Sequence, residues 1–132
     1  GLLRAIFENT TNDMIQLVNE KDKSLSASER LSNLITDIFE QLKKDKTLFQ
    51  LNLNVILQPK TNQILKDLID IRASFILEFV KPIFEELTPD TSLLNSYLFI
   101  AEIDGIALSY LYVYDNYALD AIQNQLIQKY TF

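Results

Sequence analysis

The spacing of apolar positions divides this chain into helical segments separated by short polar breaks. In the first, Gly1 to Glu20, Leu3, Phe7, Met14 and Val18 recur on one face, and no capping residue precedes Leu2. A polar linker from Lys21 to Leu25 follows. Ser26-Ala27-Ser28-Glu29 fits a capping box, in which a serine oxygen and a glutamate three residues on satisfy the free N–H groups of a helix start. Leu31, Leu34, Ile35, Ile38, Phe39 and Leu42 then keep helical spacing, which predicts an amphipathic helix to about Lys44.

Thr47 to Gln58 reads two ways. Phe49, Leu51, Leu53, Val55 and Leu57 alternate with a mostly polar set, as in a half-buried strand. No second strand-like run is present to pair with it, and a lone strand is not stable. The segment is therefore expected to be a buried helix, with Phe49, Leu53, Ile56 and Leu57 on one side. Pro59 ends it, and Thr61 or Asn62 is placed to cap the next. From Ile64 to Leu87 the apolar positions form one long helical pattern. Pro82 should kink it, because proline donates no hydrogen bond to the carbonyl of Glu78 and clashes with it. Thr88-Pro89-Asp90 is a stop and a restart, with Thr88 or Asp90 as the cap.

The segment Tyr97 to Tyr114 is apolar on nearly every side, interrupted only by Glu102, Asp104, Gly105 and Ser109. A surface helix would show one polar flank. This one calls for cover from its own domain, a partner chain or a membrane. Its length is close to the ~20 residues that span a bilayer. Two central carboxylates would each cost roughly 2.5–3.5 kcal/mol there, against a few tenths gained per apolar residue, so burial against protein is the better reading. A last helix, Asn116 to Tyr130, follows, with Asp115 or Asn116 as its cap and Leu119, Ile122, Leu126, Ile127 and Tyr130 on its apolar face.

Composition narrows the fold class. With 132 residues, 48% of them hydrophobic, and only 2 glycines and 3 prolines, the chain is expected to be a single all-α domain over 1–132. About six helices in a bundle account for the pattern. The net charge of −6, with dispersed lysines, argues against nucleic-acid binding by this chain alone. With no cysteine and no histidine, disulfides, thiolate chemistry, the commonest general base and the commonest zinc ligands are excluded. No signal peptide is visible, so a cytoplasmic location is the default.

Two consecutive apolar helices at the end of the chain suit a helix-pair dimer, which with its symmetry mate makes a four-helix bundle. Ala101, Gly105, Leu108 and Tyr112 share a face, and a glycine inside a helix costs about 1 kcal/mol relative to alanine, which close helix approach would explain. The expected homodimer interface is thus Ala101, Gly105, Leu108 and Tyr112 with Leu119, Ile122, Leu126 and Tyr130.

The order of these segments resembles the C-terminal ligand-sensing and dimerisation domain of tetracycline-repressor-type (TetR) transcriptional regulators. The resemblance rests on Lys46-Thr47-Leu48-Phe49 entering a short buried helix and on the long helix after it. It rests also on Ala101-Glu102-Ile103-Asp104-Gly105-Ile106-Ala107-Leu108, and on Leu126-Ile127-Gln128-Lys129-Tyr130 closing the final helix. The resemblance implies a dimer through the last two helices and a pocket for a small, largely apolar effector that releases DNA from a repressor. The helix-turn-helix domain of such regulators lies outside these residues; Gly1 would fall in the connecting helix, and DNA would be bound only through that other domain.

A pocket of this kind is mostly apolar with a few convergent polar groups. Phe49, Leu53, Ile56, Phe75, Phe79 and Phe99 are the candidate walls; Asn52, Asn54, Arg72, Tyr97, Glu102 and Tyr110 are the candidate polar contacts, with Asn52 and Asn54 expected to face solvent rather than a ligand. Glu102 stands out, because a carboxylate in an apolar helix is costly unless paired or hydrogen-bonded. It is expected to pair with Arg72 or a lysine, to cap a neighbouring helix, or to receive a ligand. Catalysis is not expected: the acid pairs Glu85-Glu86 and Asp67 with Asp70 fall on solvated faces. A di-iron bundle would need Glu-x-x-His motifs, and no glycine-rich phosphate loop occurs. No metal or cofactor is expected.

Overall fold

The computed structural model describes the backbone of residues 1–19 and 24–131, and the side chains of these except 17–19. The positions of the Val18 side chain and of most of the 21–25 linker lie outside the described residues. Within them the chain is helical, without a strand: α1 Leu2–Asn19, α2 Ala27–Lys44, α3 Lys46–Leu57, α4 Pro59–Ile64, α5 Lys66–Leu87, α6 Ser92–Leu108 and α7 Leu119–Lys129. A 3-10 turn, Pro89–Thr91, enters α6, and a π-helical turn, Ser109–Val113, leaves it.

Local chemistry sets most boundaries. The Glu29 N–H donates to Ser26 Oγ at 3.2 Å, and the Ser26 hydroxyl lies 3.2 Å from Glu29 Oε1, so the serine cap starts α2 as expected. Asp45 accepts from the Leu48 N–H at 3.1 Å and separates α2 from α3. The 47–58 segment is a helix, and only Val55 of it is fully buried. Five boundaries differ from the sequence reading. Pro59 does not only end α3; it is the first residue of α4, where its missing N–H is no loss. Asn62 caps backward, donating to the Ile56 carbonyl at 2.8 Å. The long pattern from Ile64 is split at Leu65, whose buried side chain anchors the break. The last helix begins at Leu119 with no side-chain cap, so Asp115 and Asn116 do not cap it. Neither Thr88 nor Asp90 caps the 3-10 turn with its side chain; Asn95 instead donates to Thr88 Oγ1 at 2.9 Å and Thr91 Oγ1 at 3.0 Å. α5 runs through Pro82, which is exposed and donates no hydrogen bond to the Glu78 carbonyl.

Packing is divided between two clusters. The larger joins Leu31, Ile35, Phe39 and Leu42 of α2 to Val80, Ile83 and Phe84 of α5, Phe99 and Ala107 of α6, and Leu119, Leu126 and Tyr130 of the C-terminal segment. At its centre Phe84, Phe99 and Tyr130 form an aromatic triad with centroids 5.3–5.9 Å apart and tilted or edge-on rings, the arrangement favoured by ring quadrupoles. The smaller cluster is Phe7 of α1, Val55 of α3, Leu65 and Leu68. Its polar clasp is Arg72. The guanidinium lies over the Phe7 ring at 3.7 Å and donates to Thr11 Oγ1 at 2.8 Å, Thr10 Oγ1 at 2.5 Å and the Phe7 carbonyl at 3.0 Å. Burial lowers its pKa to about 10, so it stays charged at neutral pH.

Candidate functional site

α6 is two-sided. Ser96, Phe99 and Ala107 turn inward and are buried, the Ser96 hydroxyl being satisfied by the Ser92 carbonyl at 2.7 Å. Outward, Leu94, Leu98, Ala101, Gly105, Leu108 and Tyr112 follow one another at spacings of four and three residues, and all are exposed. From Leu94 to Leu108 that alternation is the 3.5-residue repeat of a helix that packs along another helix; Tyr112 lies just beyond, in the π-helical turn. Leu94 and Leu98 are 64% and 63% exposed, too much apolar surface to be an incidental edge. A Cβ built at Gly105 meets no atom within 4 Å. Packing within the chain therefore does not account for the glycine, and Ala101 and Gly105 leave a flat place in the middle of a leucine seam. The cover expected for the Tyr97–Tyr114 segment is thus only half supplied by the chain. Pro89–Val113 is long and apolar enough to cross a membrane by length and composition, with 17% of its apolar window buried.

The expected interface residues of the last helix are placed elsewhere. Leu119, Leu126 and Tyr130 are buried in the chain's own core, and Ile122 packs against it. They are spent on intramolecular packing, so any face offered by this pair of helices is carried by α6. Tyr112 reaches back toward α3, its hydroxyl 3.4 Å from the Gln50 carbonyl and 3.5 Å from Asn54 Oδ1.

The candidate ligand residues do not converge. Phe99 is in the aromatic triad, and Phe49 and Phe79 pack against the main core. Leu53 is half-buried, while Ile56 and Tyr97 are exposed. Arg72 is committed to α1. Glu102 is committed to the C-terminal segment, accepting from Lys129 Nζ at 2.7 Å and from the Tyr130 hydroxyl at 2.6 Å. It does not pair with Arg72. The contact and burial together push the Tyr130 phenol well above its ordinary pKa, burial being the larger cause. Asn54 is exposed as expected, but Asn52 is half-buried and its Oδ1 is enclosed without a hydrogen-bond partner.

Two open depressions border these residues. One, of about 410 Å³, lies between α1 and α5 and includes Ile15, Ile71, Ser74 and Phe75, with Asp70 and Glu78. The other, of about 390 Å³, lies between the end of α2, the π-helical turn and the start of α7, and is lined by Lys43, Tyr110, Tyr117, Ala118, Leu119, Asp120 and Ala121. Of the candidate ligand residues, Phe75 borders the first and Tyr110 the second. In the second, Tyr110 and Tyr117 are tilted by 51° with centroids 6.4 Å apart, and Tyr114 stacks on Tyr117 at 5.6 Å. Lys46 Nζ lies 4.8 Å from the Tyr110 centroid, and Lys43 is ion-paired with Asp120. Of this group the sequence singled out Tyr110 as a ligand contact and Leu119 as an interface residue. The density of tyrosines at 110, 112, 114 and 117 was the available signal, but the lysines come from a region 64 or more residues earlier.

The acid pairs are held in ion pairs. Asp67 is bound by Arg4, whose hydrogen bond holds its carboxyl below the ordinary range, and Asp70 by Lys66 at 2.7 Å. Glu85 lies near Lys81, and Glu86 pairs with Arg30. Among the described residues no cluster of three potential metal-binding acids occurs. Compared with family models, curated proteins and solved structures, the chain gives no match.

Proposed function

We propose that this chain is a helical association domain that forms a homodimer across the outer face of α6. The observation that carries the reading is the exposed seam Leu94, Leu98, Ala101, Gly105, Leu108 and Tyr112, with its small residues in the middle. Accessible area supports it. A monomer of 15.3 kDa is expected to expose about 7,100 Å² by the scaling of surface with mass. This chain exposes 8288 Å². The difference is of the order of the ~800 Å² that each partner buries in a standard interface.

The fuller form of the reading takes up the likeness to tetracycline-repressor-type regulators. In it the dimer is the core of a repressor, and an effector acts by differential affinity for two helix arrangements. The Arg72 clasp between α1 and α5 supports a role for these two helices as transmitters, since it ties the first helix to the body of the bundle. The effector-binding half draws less support, because its candidate walls are divided between the core and the surface.

Sedimentation of the purified chain in the micromolar range tests the association. A species of twice the monomer mass is expected for the wild type, with Leu98→Glu and Gly105→Leu giving folded monomers. A wild-type monomer rejects the proposal. A second reading, an interaction module for a different helical partner, follows from the same face; it gains if the wild type is monomeric yet aggregates through α6.

A further inference from the structure

The exposed seam of α6 reads the same in both directions. From Leu94 to Leu98, Ala101, Gly105, Leu108 and, in the π-helical turn, Tyr112, the steps are four, three, four, three and four residues. The sizes run large, large, small, small, large, large, and the midpoint is level with Ile103. A parallel pair of such helices would set each residue beside its own copy and would need no symmetry along the chain. An antiparallel pair about a two-fold axis needs it, because each residue then meets one equally far beyond the axis. Leu98 would face Leu108 of the second copy, and Ala101 would face Gly105, small against small at the closest approach. The axis keeps each flank of the seam on its own side. One flank carries Asn95, Glu102 and Ser109, the other Tyr97, Asp104 and Leu111, both at seven-residue steps. Nearest the axis, Glu102 and Asp104 therefore each lie opposite their own copies. We propose, resting on the homodimer reading above, that α6 pairs antiparallel about Ile103 and that the two facing Asp104 carboxylates share a proton, so that acid strengthens the dimer.

The two flanks differ in what neutralises them. Glu102 already accepts from Lys129 and from the Tyr130 hydroxyl. Asp104 is exposed, has no ion pair among the described residues, and is raised above its ordinary range by desolvation alone. The elements packed against α6 supply it with no cation. On α5, Lys66 is paired with Asp70, Lys81 with Glu85, and Arg72 is held in the clasp to α1. Of the other α5 acids, Asp67 is paired with Arg4 and Glu86 with Arg30, while Glu78 borders the depression toward α1. The 3-10 turn adds only Asp90, and the π-helical turn only Tyr110 and Tyr112. Two like charges brought together disfavour double ionisation, so the pair holds a proton that each chain alone releases. Tyr97 of one copy and Leu111 of the other stand beside the pair on the same flank and thin the water around it. That strengthens both the repulsion of the charged pair and the hydrogen bond of the protonated one. The dimer thus binds protons more tightly than two separate chains, and association tightens as pH falls.

The test measures the dimer dissociation constant of the full chain by sedimentation equilibrium at about pH 7.5 and about pH 5.5. The wild-type Kd is expected to fall about three- to tenfold from the higher to the lower value. Asp104→Asn should remain dimeric, with a Kd that changes less than about twofold over the same range. Asp13→Asn, which removes an exposed acid from α1, should keep the wild-type change and so separates the Asp104 pair from the general charge of −6. The register is read by cross-linking, since the chain has no cysteine of its own. Leu98→Cys and Leu108→Cys should form a disulfide dimer when mixed and oxidised, and neither should form one alone, because about 15 Å of helix separates the two positions. A self-linked Leu98→Cys overturns the antiparallel pairing. A wild-type dimer whose Kd ignores pH, or shifts equally in Asp104→Asn, overturns the shared proton; in both cases the homodimer reading stands. A chain that is monomeric at both values, in wild type and in Asp104→Asn, overturns that reading and this inference together.

Discussion

The Tyr130 hydroxyl donates to Glu102 at 2.6 Å, joining the end of the last helix to the middle of the most apolar one. The same carboxylate accepts from Lys129, so the acid that a nearly all-apolar helix carries at its centre is satisfied twice, within the chain. This relationship explains how Glu102 is tolerated and why it is not free for a ligand. The inner face of α6 is that of Ser96, Phe99 and Ala107, and Glu102 is half-buried.

Tyr130→Phe keeps the ring in its triad with Phe84 and Phe99 and removes only the hydroxyl. A loss of about 1.5–3 kcal/mol is expected, the value of one hydrogen bond to a charged group, measured by urea denaturation. Tyr130→Ala also empties the triad and should cost about 3–5 kcal/mol. Equal losses for the two would mean that the hydroxyl, not the ring, carries the contact.

Gly105→Ala separates folding from association. The added methyl meets open space within the chain, and alanine is the better helix former, so the monomer should gain about 1 kcal/mol. The proposed dimer should weaken, since the flat place in the seam is filled. Thermal melts over a dilution series read both effects: stability rises at low concentration, and its dependence on concentration shrinks.

Arg72→Ala releases α1 from α5. With no acidic partner among the described residues, the guanidinium depends on a ring and three oxygens, and removing it should cost about 2 kcal/mol. Amide exchange should accelerate in α1 more than in α7. Arg72→Lys should recover only part of the loss, because an ammonium lacks the planar fork that reaches both threonines and the Phe7 carbonyl.

Asp104 stands beside Gly105 at the edge of the exposed seam, and desolvation raises its carboxyl above the ordinary 3.8. The folded state therefore holds this proton to a higher pH than the unfolded chain does. Its contribution to stability is greatest below the ordinary value and is lost as pH rises through the raised one. Asp104 is exposed, so solvent screens much of the cost of its charge; at neutral pH Asp104→Asn should be slightly stabilising. Denaturation midpoints from pH 3 to 7 check the sign: the wild type should lose stability relative to the variant as pH rises across this window.

What the sequence determined by itself was the class of fold and most of its local punctuation. Scarce glycine and proline, the Ser26–Glu29 cap and the 3.6-residue pattern of α2 act within one or two turns, and physics at that range is written in neighbouring residues. The helical state of 47–58 was legible for a related reason, since no partner strand existed. Tertiary structure decided the rest. The splitting of the long pattern at Leu65 follows from burying that leucine beside Phe7 and Val55, and the return of Asn62 to Ile56 depends on the turn that results. An apolar stripe on the last helix reads the same whether it meets its own core or a second chain; here Phe84 and Phe99 claimed Leu126 and Tyr130, and the seam of α6 was left outside. The tyrosine depression lay furthest from view, because Lys43 and Lys46 meet Asp120 and Tyr110 only when α2 packs against α7. Spacing along a chain records which residues share a face; which surface that face meets depends on all the other helices at once.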